Sequence, residues 1–273
     1  MKILVPIDFT PVTENALKYA LLLPPSKEVV LFHVVNAQAE VSKAEQKLKD
    51  LGDNYRNTYK GQIDFSVKTG NIFDHIGEEA LHQKADIIVM GTHGVKGMQH
   101  IVGSKAMKVI TNSKTPYIVV QNKSFEEIKN ILVPVDFTRE SKQVLPFLVT
   151  IANIFGAKLQ LLRQSYSKDE FIKNKIDNNL AYFKSVLDSN NCKYEMLTNE
   201  FSFDKRYKSI LSEATSLKTN MIVTAIDPKV DVADFIMGVE EQKIVANEAQ
   251  IPVLCINIRH FTKFTGSIFE GSA

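Results

Sequence analysis

Two clusters of residues in this 273-residue chain have types and spacings suited to chemistry. The first is Met90-Gly-Thr-His-Gly94, followed after eight residues by Gly103-Ser104. Glycines let backbone N–H groups turn toward a ligand, and a helix N-terminus adds unsatisfied donors and about half a positive charge. A strand-to-helix loop of this kind suits an anion such as phosphate. Ser104 can give its hydroxyl to that anion or cap the next helix, and Lys96, Lys105 and Lys108 add positive charge if they face inward. The same residues also fit a plain turn, with Gly91 and Gly94 reversing the chain and the lysines solvated. The second cluster centres on Asp8, which ends the apolar run Ile3-Leu-Val-Pro-Ile7. Its carboxylate suits an adenine amino group or a ribose hydroxyl, and equally suits the cap of a following helix.

The elements that must position these residues are legible as alternating apolar runs and amphipathic stretches, the pattern of βαβ units and a parallel sheet. Strands are expected over residues 2–7, 29–35, 64–68, 87–90 and 117–120. Thr10 is expected to cap the first helix, Pro11 suits its first position, and Ala16, Leu17, Ala20 and Leu21 form its apolar face. In such a sheet the first strand lies at the topological switch point, where ligands bind beyond the strands' carboxyl ends.

The run from Ile3 to Thr10 recurs almost unchanged as Ile131-Leu-Val-Pro-Val-Asp-Phe-Thr138. Further pairs are Val29–His33 with Leu159–Arg163, Asp86–Val89 with Asn220–Val223, and Pro116–Val119 with Pro252–Cys255. The chain therefore reads as a duplication. The second copy's first helix is expected to start at Thr138, to turn Val144, Leu145, Leu148, Val149 and Ala152 inward, to kink at Pro146 and to end at Gly156. Residues 122–129 read as a short charged linker, and residues after 259 as a tail carrying Phe261, Phe264 and Phe269, mobile or packed on a partner surface.

Composition narrows the function classes. Lys and Arg total 33 against 31 Asp and Glu, a net charge of +2, and no run of five like charges occurs. Neither nucleic acid nor an anionic membrane is favoured as a partner. Cys192 and Cys255 lack metal-ligand spacing and suit a reduced, cytoplasmic protein. The chain opens on a strand-like run rather than a signal peptide, and no apolar run approaches the length of a membrane span. P-loop, dinucleotide and nucleophile-elbow fingerprints are missing. His93 lies in the glycine loop, where it can meet a phosphate or stay inert. His75 and His82 are expected on a surface helix, solvated and too far apart for a metal pair.

On the residues from Met90 to Ser104, together with Thr115-Pro116 ahead of the fifth strand, the chain resembles the universal stress protein family in tandem form. The family motif is G-x-x-G-x9-G-[S/T]; here eight residues separate Gly94 from Gly103. The resemblance spans residues 1 to 258. It implies an α/β fold of two flavodoxin-like, adenine nucleotide alpha-hydrolase-like, doubly wound parallel five-stranded sheets, forming an intramolecular pseudo-dimer through their fifth strands. Its domains would be residues 1–123 with the intact motif and 129–258 with a degenerate one, followed by the tail 259–273. It also implies an ATP site, with or without Mg2+, formed by Pro6, Asp8, Val34, Met90, Gly91, Gly94, Gly103, Ser104 and Lys105. In the second half Thr224-Ala-Ile-Asp-Pro228 stands where the loop should be and Gly238-Val239 replaces its closing pair, so no second nucleotide site is expected. The function so implied is a non-enzymatic, cytoplasmic stress-response module that binds adenine nucleotide and an unknown protein partner, with further homo-dimerisation open. The alternative is a nucleotide-free scaffold of the same fold.

Overall fold

A computed structural model describes residues 1–92, 110, 113–138, 140–165, 168–200, 205–226 and 243–257. In the first half, strands β1 (Lys2–Pro6), β2 (Glu28–Val35), β3 (Gln62–Thr69), β4 (Ile87–Gly91) and β5 (Tyr117–Val120) alternate with helices α1 (Pro11–Leu22), α2 (Val41–Asp53) and α3 (Ile72–His82). The second half supplies β6 (Asn130–Val135), α4 (Glu140–Gln143), α5 (Leu145–Phe155), β7 (Lys158–Ser165), α6 (Glu170–Ser189), β8 (Tyr194–Glu200), α7 (Arg206–Ser216), β9 (Met221–Ile226) and β10 (Val253–Asn257).

All ten strands form one sheet in the order β3-β2-β1-β4-β5-β10-β9-β6-β7-β8. Each half keeps the same internal parallel order, and the halves meet at a single antiparallel seam where Val253 faces Val119, Leu254 faces Ile118 and Cys255 faces Tyr117. The fifth strands therefore join as the resemblance implied, merging two five-stranded sheets into one. Because the seam is antiparallel, the carboxyl ends of the two halves' parallel strands open on opposite edges of the sheet.

Parallel strands covered on both faces read as continuous apolar runs. Here alternate residues of each strand feed two layers. Ile3, Val5, Val89, Ile118, Leu254 and Val223 pack on one face, and Leu4, Met90, Val119, Val253 and Ile222 on the other. Both layers draw on both halves, so the core is continuous across the seam. The seam is also tied by polar groups. The Gln121 side chain donates to the Asn247 carbonyl at 2.9 Å, and Asn247 itself bonds the Ile244 and Ile251 carbonyls and the Ile251 N–H.

Two expectations change. Pro146 does not kink a continuous helix: the helix breaks at Val144, and Pro146 sits in the first turn of α5, where its fixed φ fits and its missing N–H has no partner to lose. Gly156 ends α5 in the left-handed region, φ 61°, as a C-terminal glycine should. The connection from 122 to 129 is the short linker expected, and it is anchored. Phe125 meets the Tyr19 ring edge-on at 4.9 Å, Ile128 is buried, and the Asn15 amide donates to the carbonyls of Gln121 and Lys123. His75 is half-buried against Gly70, while His82 is exposed as expected.

Candidate functional site

In the first half the strand order reverses direction between β1 and β4, which makes the gap beyond their carboxyl ends the switch-point crevice. Asp8 leaves β1 at this edge. Its Oδ1 accepts from Thr10 N at 2.9 Å, Thr10 Oγ1 at 2.5 Å and Thr13 Oγ1 at 2.8 Å. Thr10 occupies the cap position of α1 but makes no side-chain cap bond. Asp8 organises this first turn instead, by gathering the two threonines. The turn places Phe9 at φ 64°, an uncommon value for a bulky residue. Its ring lies 4.9 Å from His33 and beneath the Lys47 ammonium at 5.2 Å. His33 Nδ1 lies 2.6 Å from the Ile7 carbonyl, a hydrogen bond that requires the proton on Nδ1.

The second half repeats the turn. Asp136 Oδ1 accepts from Thr138 N, Thr138 Oγ1 and Ser141 Oγ. An arrangement kept in both halves belongs to the fold, so this part of the Asp8 carboxylate has a structural task. The surroundings then diverge. Arg163 takes the place of His33 and pairs with Asp177 through Nε and Nη2, and buried Asn179 of α6 donates to the carbonyls of Asp136 and Thr138 at 2.8 Å each. The second turn is thereby clamped to the helix beside it.

Gly91 ends β4 directly beneath α1. A Cβ there would lie 2.5 Å from the Val12 carbonyl oxygen and 3.2 Å from Thr13 N. Its glycine is required by close helix packing, whatever the loop beyond it does. Met90, one residue earlier, faces the opposite layer together with Phe32 and Val119, and Val34 packs against the same cluster. Pro6 is buried and pairs with Phe32. The structure thus gathers Pro6, Asp8, Val34, Met90 and Gly91 at one edge. Gly94, Gly103, Ser104 and Lys105 lie outside the described residues, as do His93, Lys96, Lys108, Asp227, Pro228, Gly238, Val239 and the tail from 258.

Thr92 joins this set, although its sequence context marks it only as a loop residue. It is 2% exposed, its N–H extends the ladder to the Val120 carbonyl at 2.8 Å, and among the described residues its Oγ1 has no hydrogen-bond partner. Among the described residues no group of three His, Cys, Asp or Glu side chains could hold a metal ion, and no helix is long and apolar enough to cross a membrane. Both cysteines are reduced and buried; burial pushes the Cys255 thiol far up.

A doubly wound α/β half-sheet, with a turn-forming aspartate and a glycine-bearing segment meeting at its switch point, defines a Rossmann-like protein with a switch-point crevice. The chain belongs to the universal stress protein family: the Universal stress protein family profile matches residues 1–121. Universal stress protein MJ0531 of Methanocaldococcus jannaschii is 31% identical over 138 residues, which cover 44% of this chain and 81% of that protein. Universal stress protein MJ0577 of the same organism is 29% identical over 156 residues, 45% of this chain and 96% of that one. The crystal structure of a universal stress protein from Archaeoglobus fulgidus superposes with a TM-score of 0.75 over 94% of this chain and 98% of its own, at 16% identity. That likeness extends the fold to both halves.

Proposed function

We propose that this chain is a tandem universal stress protein of two units, residues 1–123 and 129–258 with a tail at 259–273, that binds one adenine nucleotide in the first unit and acts as a non-enzymatic stress-response module. The observation that carries the reading is the meeting of Asp8, Met90, Gly91 and Thr92 at the switch point, immediately ahead of the Gly94 to Ser104 segment. ATP, alone or with Mg2+, is the ligand that the family resemblance implies. Its phosphates would meet the backbone donors of the glycine segment and its base the Val34 and Met90 side. The second unit serves as the structural partner, for Asn179 clamps its turn and Thr224-Ala-Ile-Asp-Pro228 replaces its glycines.

Control by ligand requires different affinities for two states of the loop. Helix α1 is suited to carry such a difference. Its first turn forms the Asp8 cluster, and its Asn15 and Tyr19 hold the connection to the second unit. A protein partner reading the glycine segment would then sense nucleotide. Two buried thiols agree with action in the reducing cytoplasm.

Calorimetric titration with ATP and magnesium tests the site. One ATP per chain is expected, lost in a Gly103→Val, Ser104→Val double variant that copies the second unit. No heat at millimolar ATP from folded, nucleotide-free protein would replace this reading with the scaffold.

A further inference from the structure

The ten-stranded sheet ends on β3, whose outer side carries no partner strand among the described residues. Its inner side pairs with β2 in unbroken register from Gln62 to Thr69. The N–H of Gln62 donates to the Lys27 carbonyl and that of Gly70 to the Val35 carbonyl, each at 2.9 Å, so the even-numbered residues turn their backbone groups inward. Backbone direction alternates along a strand, and the N–H and C=O groups of Ile63, Phe65, Val67 and Thr69 therefore point outward. Such an open row is a template for another strand, and proteins commonly blunt it with a proline or a bulge. β3 has neither. On the face of the sheet where Ile63 and Val67 pack against the core, Phe65 between them is 40% exposed.

The other face of β3 carries Asp64, Ser66 and Lys68. Asp64 accepts from the Gln62 amide at 2.7 Å and makes no ion pair among the described residues. Lys68 reaches buried Glu79 of α3 at 2.9 Å, which holds its ammonium at this edge and leaves it donors to spare. The two charges are placed symmetrically about Ser66. A second β3 laid antiparallel with Ser66 opposite its own copy sets each Asp64 opposite a Lys68. In the same register the outward backbones meet as hydrogen-bonded pairs, Phe65 with Val67 and Ile63 with Thr69. Sliding the copy until Phe65 faces Phe65 puts Asp64 opposite Ser66 and Lys68 opposite Gln62, and the direct ion pairs are lost. The far end of the sheet lacks this match, because the charges of β8 are Glu195 and Glu200, and self-pairing there brings no cation to either.

We infer that the β3 edge is a self-association surface, on which a second copy of this chain seats its own β3 antiparallel about a twofold axis at Ser66. The contact uses the same patch on both copies and closes at two chains. Opposite charges facing each other, and an aromatic ring facing a β-branched side chain, are cross-strand pairs that stabilise a sheet. The surface is independent of the nucleotide reading, since it lies along the side of the sheet and the switch-point crevice opens at the strand ends.

Sedimentation velocity of the full chain over a concentration series tests the surface. Wild type shows a reversible monomer–dimer equilibrium that weakens as salt is raised. Asp64→Lys, which sets like charges opposite each other twice, and Phe65→Lys each weaken the dimer at least tenfold, with melting temperatures of the monomers close to wild type. Cysteine cross-linking reads the register without depending on those variants. Ser66→Cys brings two Cα atoms to about 4.5 Å, within reach of a disulfide, and gives a covalent dimer on mild oxidation. Gln62→Cys, which falls opposite Gly70 of the second copy, does not, and the native Cys192 and Cys255 are buried. Wild type that stays monomeric at the highest concentration overturns the inference. So does a dimer that survives Asp64→Lys and Phe65→Lys unchanged, which places the interface elsewhere, or cross-linking of Gln62→Cys as readily as Ser66→Cys.

Discussion

Replacing Gly91 with alanine puts the account of this edge under direct strain. The new Cβ would stand 2.5 Å from the Val12 carbonyl oxygen and 2.9 Å from the Val12 carbonyl carbon, where ordinary contact begins at 3.4 Å. Both clashing atoms are backbone, so no rotamer change relieves them. Helix α1 must retreat by about 0.9 Å, the difference between 3.4 and 2.5 Å. It carries buried Ala16, Leu17, Tyr19 and Ala20, and interiors this dense do not absorb such a shift without losing contacts. Overpacking of this kind costs about 1–3 kcal/mol, and we expect about 2 kcal/mol in urea unfolding. Gly77→Ala serves as the control. There the nearest atom to an added Cβ is Ser113 Oγ at 3.9 Å, inside helix α3, so the same substitution should stabilise by about 0.5–1 kcal/mol. A Gly91→Ala loss below about 0.5 kcal/mol, the range of neutral surface changes, would refute the packing explanation of this glycine.

Other consequences follow from individual contacts. Asp8→Ala removes the acceptor shared by Thr10 and Thr13 and is expected to lower stability by about 1–2 kcal/mol, with Asp136→Ala costing a similar amount; thermal melts of the two variants should agree within about 1 kcal/mol if the turns are equivalent. Asn247→Ala leaves the Ile244 and Ile251 carbonyls and the Ile251 N–H without their buried side-chain partner, and chemical denaturation should show a loss of about 2–4 kcal/mol. Burial pushes the Glu79 carboxyl up, but bonds from Gln83, Lys68 and Ser66 outweigh it and hold the group below its usual range. A carboxyl depressed on folding contributes stability above its unfolded pKa and loses it as pH falls through the folded one. Stability measured from pH 6 to pH 3 should therefore decline more steeply in wild type than in Glu79→Gln.

Much of the architecture is legible because parallel strands are apolar throughout and the repeat supplies a second reading of each. Ile3 to Thr10 and Ile131 to Thr138 mark the same strand and turn twice, whereas the pairing of the fifth strands was implied only by the family resemblance. Local rules failed where two of them compete. Pro146 inside an apolar stretch can kink a helix or begin one, and the break at Val144 decides for the latter. At Thr10 the expected place of the cap is right, but the carboxylate of Asp8 rather than the threonine hydroxyl does the gathering. Non-local features left no local trace: Gln121 and Asn247 are 126 residues apart, and Asn179 meets Asp136 across 43. The candidate site was readable as a set of residue types, whereas the reason for Gly91 needed the position of α1, and Thr92 needed knowledge of burial.

The central claim is one nucleotide site, in the first half. Its most direct test is photolabelling of the intact chain with 8-azido-ATP and magnesium, followed by peptide mapping. The account predicts label confined to peptides of residues 1–123, at no more than one per chain, and suppressed by excess ATP. Label within residues 129–257, or none that ATP suppresses, would contradict it.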